Sequence, residues 1–227
     1  MAGMIKKIVC GLLDMPKTLY VNFKCLPVKQ AVRLPILVDY RTVLGPLHKN
    51  ITIAFPCPLF GIRLGIGGTE SRDWGRKPYF SLGEQGRMIF HGRCTMAGGI
   101  SLIVDRGTLE IGNGFFCNRN CSISCNSRIV IGDDNMWGWN IEVFDSDNHY
   151  LTHSKRLENR SSAPIAIGDH VWIAAFSHIL KGAEIPGGSV VAYGSIVSGK
   201  FSQERVLLGG SPCRVLAEDT CWSREEA

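Results

Sequence analysis

The polar segment that begins at Asp145 carries the clearest potential for chemistry in this sequence. It opens with the letters DSDNH, which place two carboxylates, Asp145 and Asp147, just before His149. A neutral imidazole, with an ordinary pKa of about 6.5, can take a proton from an attacking group near neutral pH. A neighbouring carboxylate can orient such a ring or bind hydroxyl groups. The alternative is a solvated loop histidine without a chemical role.

A six-residue period on both sides of this segment predicts the elements that position it. From Ile167 to Ser202, six consecutive units each begin with Ile or Val, and the residue four positions after the starter is small in most units. The unit starters are Ile167, Ile173, Ile179, Ile185, Val191 and Val197. A helix needs apolar residues three and four positions apart, and an isolated strand needs alternation, so neither fits. The period predicts a triangular solenoid in which each unit is a short strand followed by a corner.

The same phase continues upstream when short insertions are allowed. Nine further starters give fifteen units in all, or about five coils of three. They are Phe90, Met96, Leu102, Ile111, Cys117, Ile123, Ile131, Trp137 and Val143. The insertions fall after every third unit and therefore recur at one corner of the triangle. The longest, at 145–166, has the size of a loop that is usually functional or disordered.

We therefore expect an all-β chain in three parts. An N-terminal capping segment with short helices and strands covers 1–88, a β-helix covers 89–202 with a protruding loop, and a tail covers 203–227. The charged end of this tail is expected to be partly disordered or to form a short helix.

The stretch 16–38 is divided by prolines and predicts at most one or two short helices. Its first interpretation is a cover for the open first coil, since a solenoid needs capped ends. The second is weak contact with an anionic membrane surface, because apolar residues alternate with basic ones. The basic residues are Lys17, Lys24, Lys29 and Arg33.

Composition narrows the function classes. The chain has 227 residues, a formal net charge of +5 and 45% hydrophobic residues. The charge suits an anionic ligand, but no basic run is dense enough to predict nucleic-acid binding. No apolar run reaches the roughly 18–20 residues of a membrane span, and the nine cysteines favour reduced thiols in a cytoplasmic setting. Cys117, Cys121 and Cys125 are interpreted as small buried residues rather than as metal ligands.

The hexads, together with the segments DSDNH, IGDHVWI and GGSPCRV, resemble the hexapeptide-repeat acyltransferases over about residues 90–217. The nearest members are the maltose and galactoside O-acetyltransferases and the saccharide O-acetyltransferases of polysaccharide clusters. The resemblance implies a left-handed parallel β-helix, acetyl-CoA as co-substrate, and a homotrimer with active sites between subunits. It implies O-acetylation of a saccharide, such as a surface polysaccharide or a glycan precursor. N-acetylation of an amino sugar or nucleotide sugar is the alternative.

Particular residues take roles from this resemblance and from their chemistry. His149 corresponds to the catalytic base and Asp147 is a supporting carboxylate. The predicted acceptor-binding residues are Asn118, Asn126, Trp139 and Asp145. The predicted CoA-binding residues are Trp172, Ala174, Ala175, Lys181, Tyr193, Gly194, Lys200 and Arg214. Three of these site residues differ from the family pattern. Asn126, in the acceptor set, replaces an Asp. In the CoA set, Ala174 replaces a Gly, and Tyr193 replaces a small residue and can narrow the pantetheine channel.

Two other interpretations stay open at this point. The same fold houses γ-type carbonic anhydrases, whose zinc is held by histidines, and this chain contains His149, His153, His170 and His178. We expect no metal, because DSDNH and PCRV match the acyltransferases. A non-catalytic β-helix that scaffolds a polysaccharide assembly is the other interpretation. It predicts that replacing His149 leaves function intact.

Overall fold

Three parallel sheets wind into a triangular β-helix, as the six-residue period predicts. The computed structural model describes residues 2–69, 75–150, 152–153, 156–157 and 161–224. Within these ranges the chain visits sheets 1, 2 and 3 in turn, so that neighbouring strands of a sheet come from successive turns. This part of the chain contains six complete turns, two strands of a seventh turn, and one further parallel strand in sheet 1.

The strands of the described ranges divide among the three sheets as follows. Sheet 1 contains β1 Ile36–Val38, β4 Ile62–Leu64, β7 Cys94–Met96, β10 Phe115–Cys117, β13 Met136–Trp137, β18 Trp172–Ile173, β21 Val190–Val191, β23 Leu207–Gly209 and β24 Arg214–Ala217. Sheet 2 contains β2 Val43–Leu44, β5 Tyr79–Leu82, β8 Ser101–Val104, β11 Ser122–Cys125, β14 Glu142–Phe144, β19 His178–Leu180 and β22 Ile196–Val197. Sheet 3 contains β3 Ile51–Ile53, β6 Arg87–Phe90, β9 Thr108–Ile111, β12 Arg128–Ile131, β17 Ile165–Ile167 and β20 Glu184–Ile185. A separate antiparallel pair, β15 Thr152–His153 and β16 Arg156–Leu157, lies in the protruding loop.

The three corners of the triangle are named after the sheets that they join. Edge 1–2 follows each strand of sheet 1, edge 2–3 follows each strand of sheet 2, and edge 3–1 follows each strand of sheet 3. Edge 1–2 is uniform from β7 onward, where every corner has four residues, as at 138–141, 174–177 and 192–195. Edge 2–3 carries the insertion at 145–164 between β14 and β17.

The apolar unit starters fill the interior of the prism. All fifteen predicted starters are buried, with exposures of 2% or less. The small residues expected at the bends are buried as well, because the backbone closes inward there; Ser177, Ala183, Ser189 and Ser195 are each 0% exposed. Corners on edge 1–2 turn through a left-handed residue, which explains Asn120 (φ 63°), Asn140 (φ 55°) and Gly194 (φ 69°) at equivalent positions.

The β-helix begins earlier than the predicted boundary at residue 88. Val38 pairs with Leu64, and Leu64 with Met96, so the inward register reaches back to β1. The inward positions upstream are Val38, Leu44, Ile53, Leu64 and Phe80. Their spacing in the sequence runs from six to sixteen residues, because several corners carry long insertions. The period therefore disappears from the sequence while the register persists in the structure.

The N-terminal helix differs from the prediction of short helices. Helix α1 runs as one element through Ala2–Cys25, with Pro16 on its exposed side, and a single turn, α2 Val28–Ala31, follows Pro27. As expected for a capping segment, helix α1 packs against β1 and covers the first turn of the solenoid. Asn22 donates to the carbonyl of Ile36 (2.6 Å) and accepts from the amide of the same residue (3.2 Å). The Thr18 hydroxyl accepts from the Val38 amide (3.0 Å), so polar side chains satisfy the outer edge of sheet 1.

The C-terminal end also departs from the predicted tail at 203–227. Strand β23 extends sheet 1 in parallel, and β24 folds back on it antiparallel. Trp222 then stacks on His170 (4.2 Å between ring centroids) and donates from Nε1 to the His170 carbonyl (2.8 Å). The last predicted tail residues, 225–227, lie outside the described part. Of the helices in the described ranges, none is long and apolar enough to cross a membrane.

Candidate active site

The protruding loop is closed at its base by a buried carboxylate. Asp145 is 0% exposed, and its two oxygens accept from the amides of Asn126 (2.7 Å) and Ser127 (2.8 Å). Its carbonyl accepts from the Ala163 amide (2.9 Å), which brings the two ends of the loop together. The Asp147 amide donates to the Ser161 carbonyl (2.8 Å) one step further out. The sequence predicts that Asp145 binds the acceptor. In the structure, its buried carboxylate instead bonds the backbone and stabilises the corner at the base of the loop.

His149 follows directly beyond this closure and is exposed at edge 2–3. Ser146 fixes the approach to it, because its hydroxyl donates to the Ser161 carbonyl (3.1 Å) and accepts from the Asn148 amide (3.0 Å). Asn148 has φ 57°, which reverses the chain just before the histidine. The His149 side chain is therefore exposed to solvent rather than packed against the core.

A cleft of about 370 Å³ lies on the outer face of sheet 2, and its lining includes Asn148, the residue before this histidine. Ser146 and Asn148 form its rim on the loop side, and Arg76 forms the opposite side. The outward residues of three successive strands form its floor: Ser101, Ile103, Ser122, Ser124, Glu142 and Phe144. Hydroxyl, carboxylate and guanidinium groups around an open cleft are suited to a polyhydroxylated molecule.

Three polar groups of this region were not predicted from the sequence. Arg76 donates to the Asn120 carbonyl (3.1 Å) and to the Ser122 hydroxyl (2.9 Å), which ties a non-repetitive segment onto sheet 2. Glu142 and His178 are direct partners on neighbouring strands, with 3.0 Å between Oε2 and Nδ1. The signal for this pair was available, since both residues follow an equivalent corner of the hexad pattern. Nothing in the sequence indicated the position of Arg76.

The predicted cofactor-binding residues do not meet at one place within the chain. Trp172, Ala174, Ala175, Tyr193 and Gly194 lie along the end of sheet 1 and edge 1–2. Lys181 lies on edge 2–3 and pairs with Asp147, whereas Lys200 lies beside β20 of sheet 3 and pairs with Glu184. Arg214 is exposed on β24 beyond both groups.

Edge 1–2 and the adjoining end of sheet 1 carry exposed aromatic side chains and two backbone amides that could contact a ligand. Tyr193 is 69% exposed and contacts Phe176 (5.3 Å between ring centroids), and Trp172 is 36% exposed. In the described part of the chain, the amides of Ala175 and Tyr193 have no backbone acceptor. Gly138 lies one turn earlier, directly beside the Ala175 amide. A Cβ on Gly138 would lie only 2.7 Å from the Ala175 nitrogen, so a side chain at this position would crowd that amide.

Of the remaining predicted acceptor residues, Asn118 and Asn126 have structural partners and Trp139 is partly buried. Asn118 is 7% exposed; its Oδ1 accepts from the Thr69 amide (3.1 Å), and its Nδ2 donates to the Thr69 hydroxyl (2.8 Å). Asn126 lies on edge 2–3 below the loop, with its amide on Asp145. Trp139 lies on edge 1–2, and its indole N–H is buried without a hydrogen-bond partner in the described residues.

The three regularly spaced cysteines are part of the core, as predicted. Cys117, Cys121 and Cys125 are each 0% exposed, and all nine cysteines of the chain are free thiols. Burial raises the pKa of the Cys117 and Cys125 thiols well above the ordinary range. A thiolate, the nucleophilic form, is therefore strongly disfavoured at these positions.

The histidines considered for zinc are distributed over the solenoid. His170 lies on edge 3–1, where its Nδ1 contacts Asp134 (2.7 Å), whereas His178 pairs with Glu142 on sheet 2. The side chain of His153 lies outside the described residues. Among the described residues, no group of three or more His, Cys, Asp or Glu side chains is arranged to hold a metal ion.

The fold and the repeat define a left-handed parallel β-helix of the hexapeptide-repeat class. A solved structure of the polySia-specific acetyltransferase NeuO superposes on this chain with a TM-score of 0.63. The match covers 84% of this chain and 80% of that structure at 20% identity, which establishes similarity of fold. No protein-family model matches the chain.

Two curated relatives resemble this chain in sequence. A Saccharomyces cerevisiae protein, YJL218W, which carries a provisional acetyltransferase name, is 34% identical over 113 residues, or 49% of this chain and 57% of that protein. The galactoside O-acetyltransferase of Escherichia coli is 34% identical over 111 residues, or 48% of this chain and 54% of the relative. The chain thus spans about half the length of these relatives. The resemblance to hexapeptide-repeat acetyltransferases is confirmed.

Proposed function

We propose that this protein transfers an acetyl group from acetyl-CoA to a hydroxyl group of a saccharide. The observation that carries the proposal is the position of His149, which is exposed at the closed base of the loop and directly follows Asn148 at the rim of a hydroxyl-lined cleft. The similarity to a galactoside O-acetyltransferase supports the reaction class. The serine hydroxyls, Glu142 and Arg76 around the cleft support a polyhydroxylated acceptor.

In this mechanism the acceptor binds in the cleft with one hydroxyl directed at His149. The imidazole accepts the hydroxyl proton as the oxygen attacks the thioester carbonyl. A C–O bond forms, the C–S bond breaks, and the leaving thiolate takes up a proton. No acyl-enzyme is required, and the buried thiols of Cys117 and Cys125 support this direct route.

Edge 1–2 is the part of the chain that would hold acetyl-CoA. Trp172, Ala174 and Tyr193 would contact the donor along the groove, with Gly194 leaving open space at its end. The amides of Ala175 and Tyr193 are suited to stabilise negative charge that develops on the carbonyl oxygen. We assign no phosphate contact to Lys181 or Lys200, because both are engaged in ion pairs; Arg214 remains the candidate.

A complete site on this plan requires two copies of the chain. The base is displayed on edge 2–3, and the donor groove follows edge 1–2, which are different corners of one triangle. Packing edge 2–3 of one copy against edge 1–2 of the next brings the two parts together. Repeating the same contact three times closes a homotrimer, as the family resemblance implies.

The proposal is tested by measuring acetyl transfer from acetyl-CoA to a panel of neutral sugars, acidic sugars and amino sugars. We expect ester products with one group of sugars, and His149→Ala is expected to reduce kcat by at least about 100-fold. His91→Ala is the matched control, because His91 is an exposed histidine directly after β6, on edge 3–1, where it pairs with Glu110. Equal transfer by wild type and His149→Ala would refute the assigned base. Transfer confined to amino groups would refute O-acetylation.

A further inference from the structure

Helix α1 is apolar on its exposed side as well as on the side that packs on the solenoid. Toward the solenoid, Val21 and Cys25 are buried in the core. Asp14, Thr18 and Asn22 are buried beside them and bond the backbone near the first strand. The opposite side is apolar and exposed. Its exposed apolar side chains are Val9, Leu12, Leu13, Leu19, Tyr20 and Phe23, with exposures from 43% to 69%.

Spacing explains why these residues form one stripe. They recur at three- and four-residue intervals, which places them on one side of an α-helix about 120° wide. The short helix α2 and its end add two more exposed apolar side chains, Val28 (59%) and Val32 (60%). We call the eight residues the outer face. In a helix that only caps a solenoid, these positions would be expected to be polar.

The charge of the chain is concentrated in the same segment. Residues 1–33 contain six of the 25 Lys and Arg residues and one of the 20 acidic residues. The remainder therefore holds 19 of each sign and is neutral overall. The single acidic residue of the segment, Asp14, is buried on the side that faces the solenoid and accepts from the Tyr40 amide (2.8 Å). Lys24, Lys29 and Arg33 are exposed.

We propose that the outer face is a peripheral docking surface for an anionic lipid membrane. An apolar stripe flanked by cations, with no exposed carboxylate in the segment, is the composition that binds at the boundary between headgroups and acyl chains. A second copy of the chain is a poorer occupant, because it would bring its own cations against those of the first. Docking through α1 holds the first turn of the solenoid at the bilayer and directs the later turns, with His149, away from it.

The test is cosedimentation of the full chain with two kinds of vesicle, pure phosphatidylcholine and equimolar phosphatidylcholine–phosphatidylglycerol. We expect binding to the second kind and little binding to the first. Lys24→Glu/Lys29→Glu/Arg33→Glu is expected to weaken binding to the anionic vesicles by at least about 100-fold. Lys49→Glu/Arg87→Glu/Arg106→Glu makes the same change in net charge at exposed positions elsewhere and is expected to retain wild-type binding.

The apolar contribution is tested separately. Leu12→Asp/Phe23→Asp is expected to abolish binding, whereas Leu59→Asp/Leu216→Asp, which changes two exposed leucines outside the helix, is not. Thermal melting of each variant confirms that it is folded. Failure of the wild type to bind, equal binding to both kinds of vesicle, or equal losses in the control variants would overturn the proposal. A change of oligomeric state in Leu12→Asp/Phe23→Asp without vesicle binding by the wild type would overturn it in favour of a protein interface.

Discussion

Edges 1–2 and 2–3 are two corners of the same coil around the same core, yet they are built differently. From β7 onward, each corner of edge 1–2 has four residues and repeats the same backbone turn. Edge 2–3 is interrupted between β14 and β17 by the loop that displays His149. The uniform edge presents the same four-residue corner turn after turn along the axis, and the interrupted edge presents one histidine at one place. The repeat thus supplies an extended binding surface, and a single departure from it supplies the candidate base.

The two edges are also stabilised by different interactions. Edge 1–2 uses small buried hydroxyls: Ser177 Oγ lies 2.9 Å from the Ala174 carbonyl oxygen and 3.0 Å from that of Ala192. Edge 2–3 uses a buried carboxylate, Asp145, on two amides. A carboxylate binds amides more strongly than a hydroxyl does, and its loss leaves donors unpaired. The interrupted edge therefore depends more on one residue than the regular edge does.

The largest effect is expected when each edge is disabled in a different copy of the chain. His149→Ala removes the base, and Ala174→Trp fills the groove while leaving the core intact; each variant alone is expected to lose about a thousandfold in kcat/KM. When equal amounts are coassembled, a site is intact if its base comes from one variant and its groove from the other. Random pairing gives one half times one half, so about a quarter of wild-type activity should return.

The control for this experiment is a mixture of His149→Ala with itself after the same unfolding and reassembly. Recovery in the mixed sample alone places the two edges of one site on different copies. If the mixture stays as inactive as its components although both variants coassemble, base and groove belong to one chain. The comparison of the edges would then have no functional meaning.

A smaller but still large effect is expected on stability when the interrupted edge loses its carboxylate. Asp145→Ala leaves the buried amides of Asn126 and Ser127 without acceptors, and we expect the free energy of unfolding to fall by about 3 kcal/mol. Asp145→Asn keeps one acceptor oxygen and should lose less. Denaturant unfolding of both variants measures the difference. Equal losses, or a loss below that of an exposed Asp147→Ala variant, would contradict the role of Asp145 as the closure of the loop.

The regular edge should respond less to an equivalent change. Ser177→Ala removes one hydroxyl at 0% exposure, and we expect a loss of about 1 kcal/mol, because neighbouring backbone bonds hold the corner. Ser198→Ala, at an exposed position after β22, is the matched control and should be neutral. A loss as large as that of Asp145→Ala would remove the energetic contrast between the two edges.

The same contrast determines how much could be predicted from the sequence. Uniform corners keep the period visible, so every starter from Phe90 to Val197 was placed in the core correctly. Irregular corners hide it: Leu64 and Phe80 are sixteen positions apart in the sequence but occupy consecutive sides of the same turn. Long-range contacts were inaccessible for the same reason. The bond from Arg76 to Ser122 and the closure by Asp145 depend on which turns lie next to each other, and a period alone does not specify polar partners.

Sheet 3 carries neither the cleft nor the residues proposed to bind acetyl-CoA. We expect a substitution there to have the smallest effect, a small pH-dependent change in the free energy of unfolding. The pKa of Glu110 is lowered, chiefly by its hydrogen bond to Arg128 (2.8 Å) and secondarily by His91. Because the folded-state pKa lies below the unfolded value, the stabilisation is present above the unfolded pKa. It is lost as pH falls through the folded pKa.

Glu110→Gln should therefore lower the free energy of unfolding by a few tenths of a kcal/mol at pH 7, and by less in acid. Urea titrations at pH 7 and pH 3 measure this; a larger loss in acid would reverse the assigned sign. Acetyl transfer by Glu110→Gln should match wild type, because Glu110 lies on neither edge that forms the candidate site.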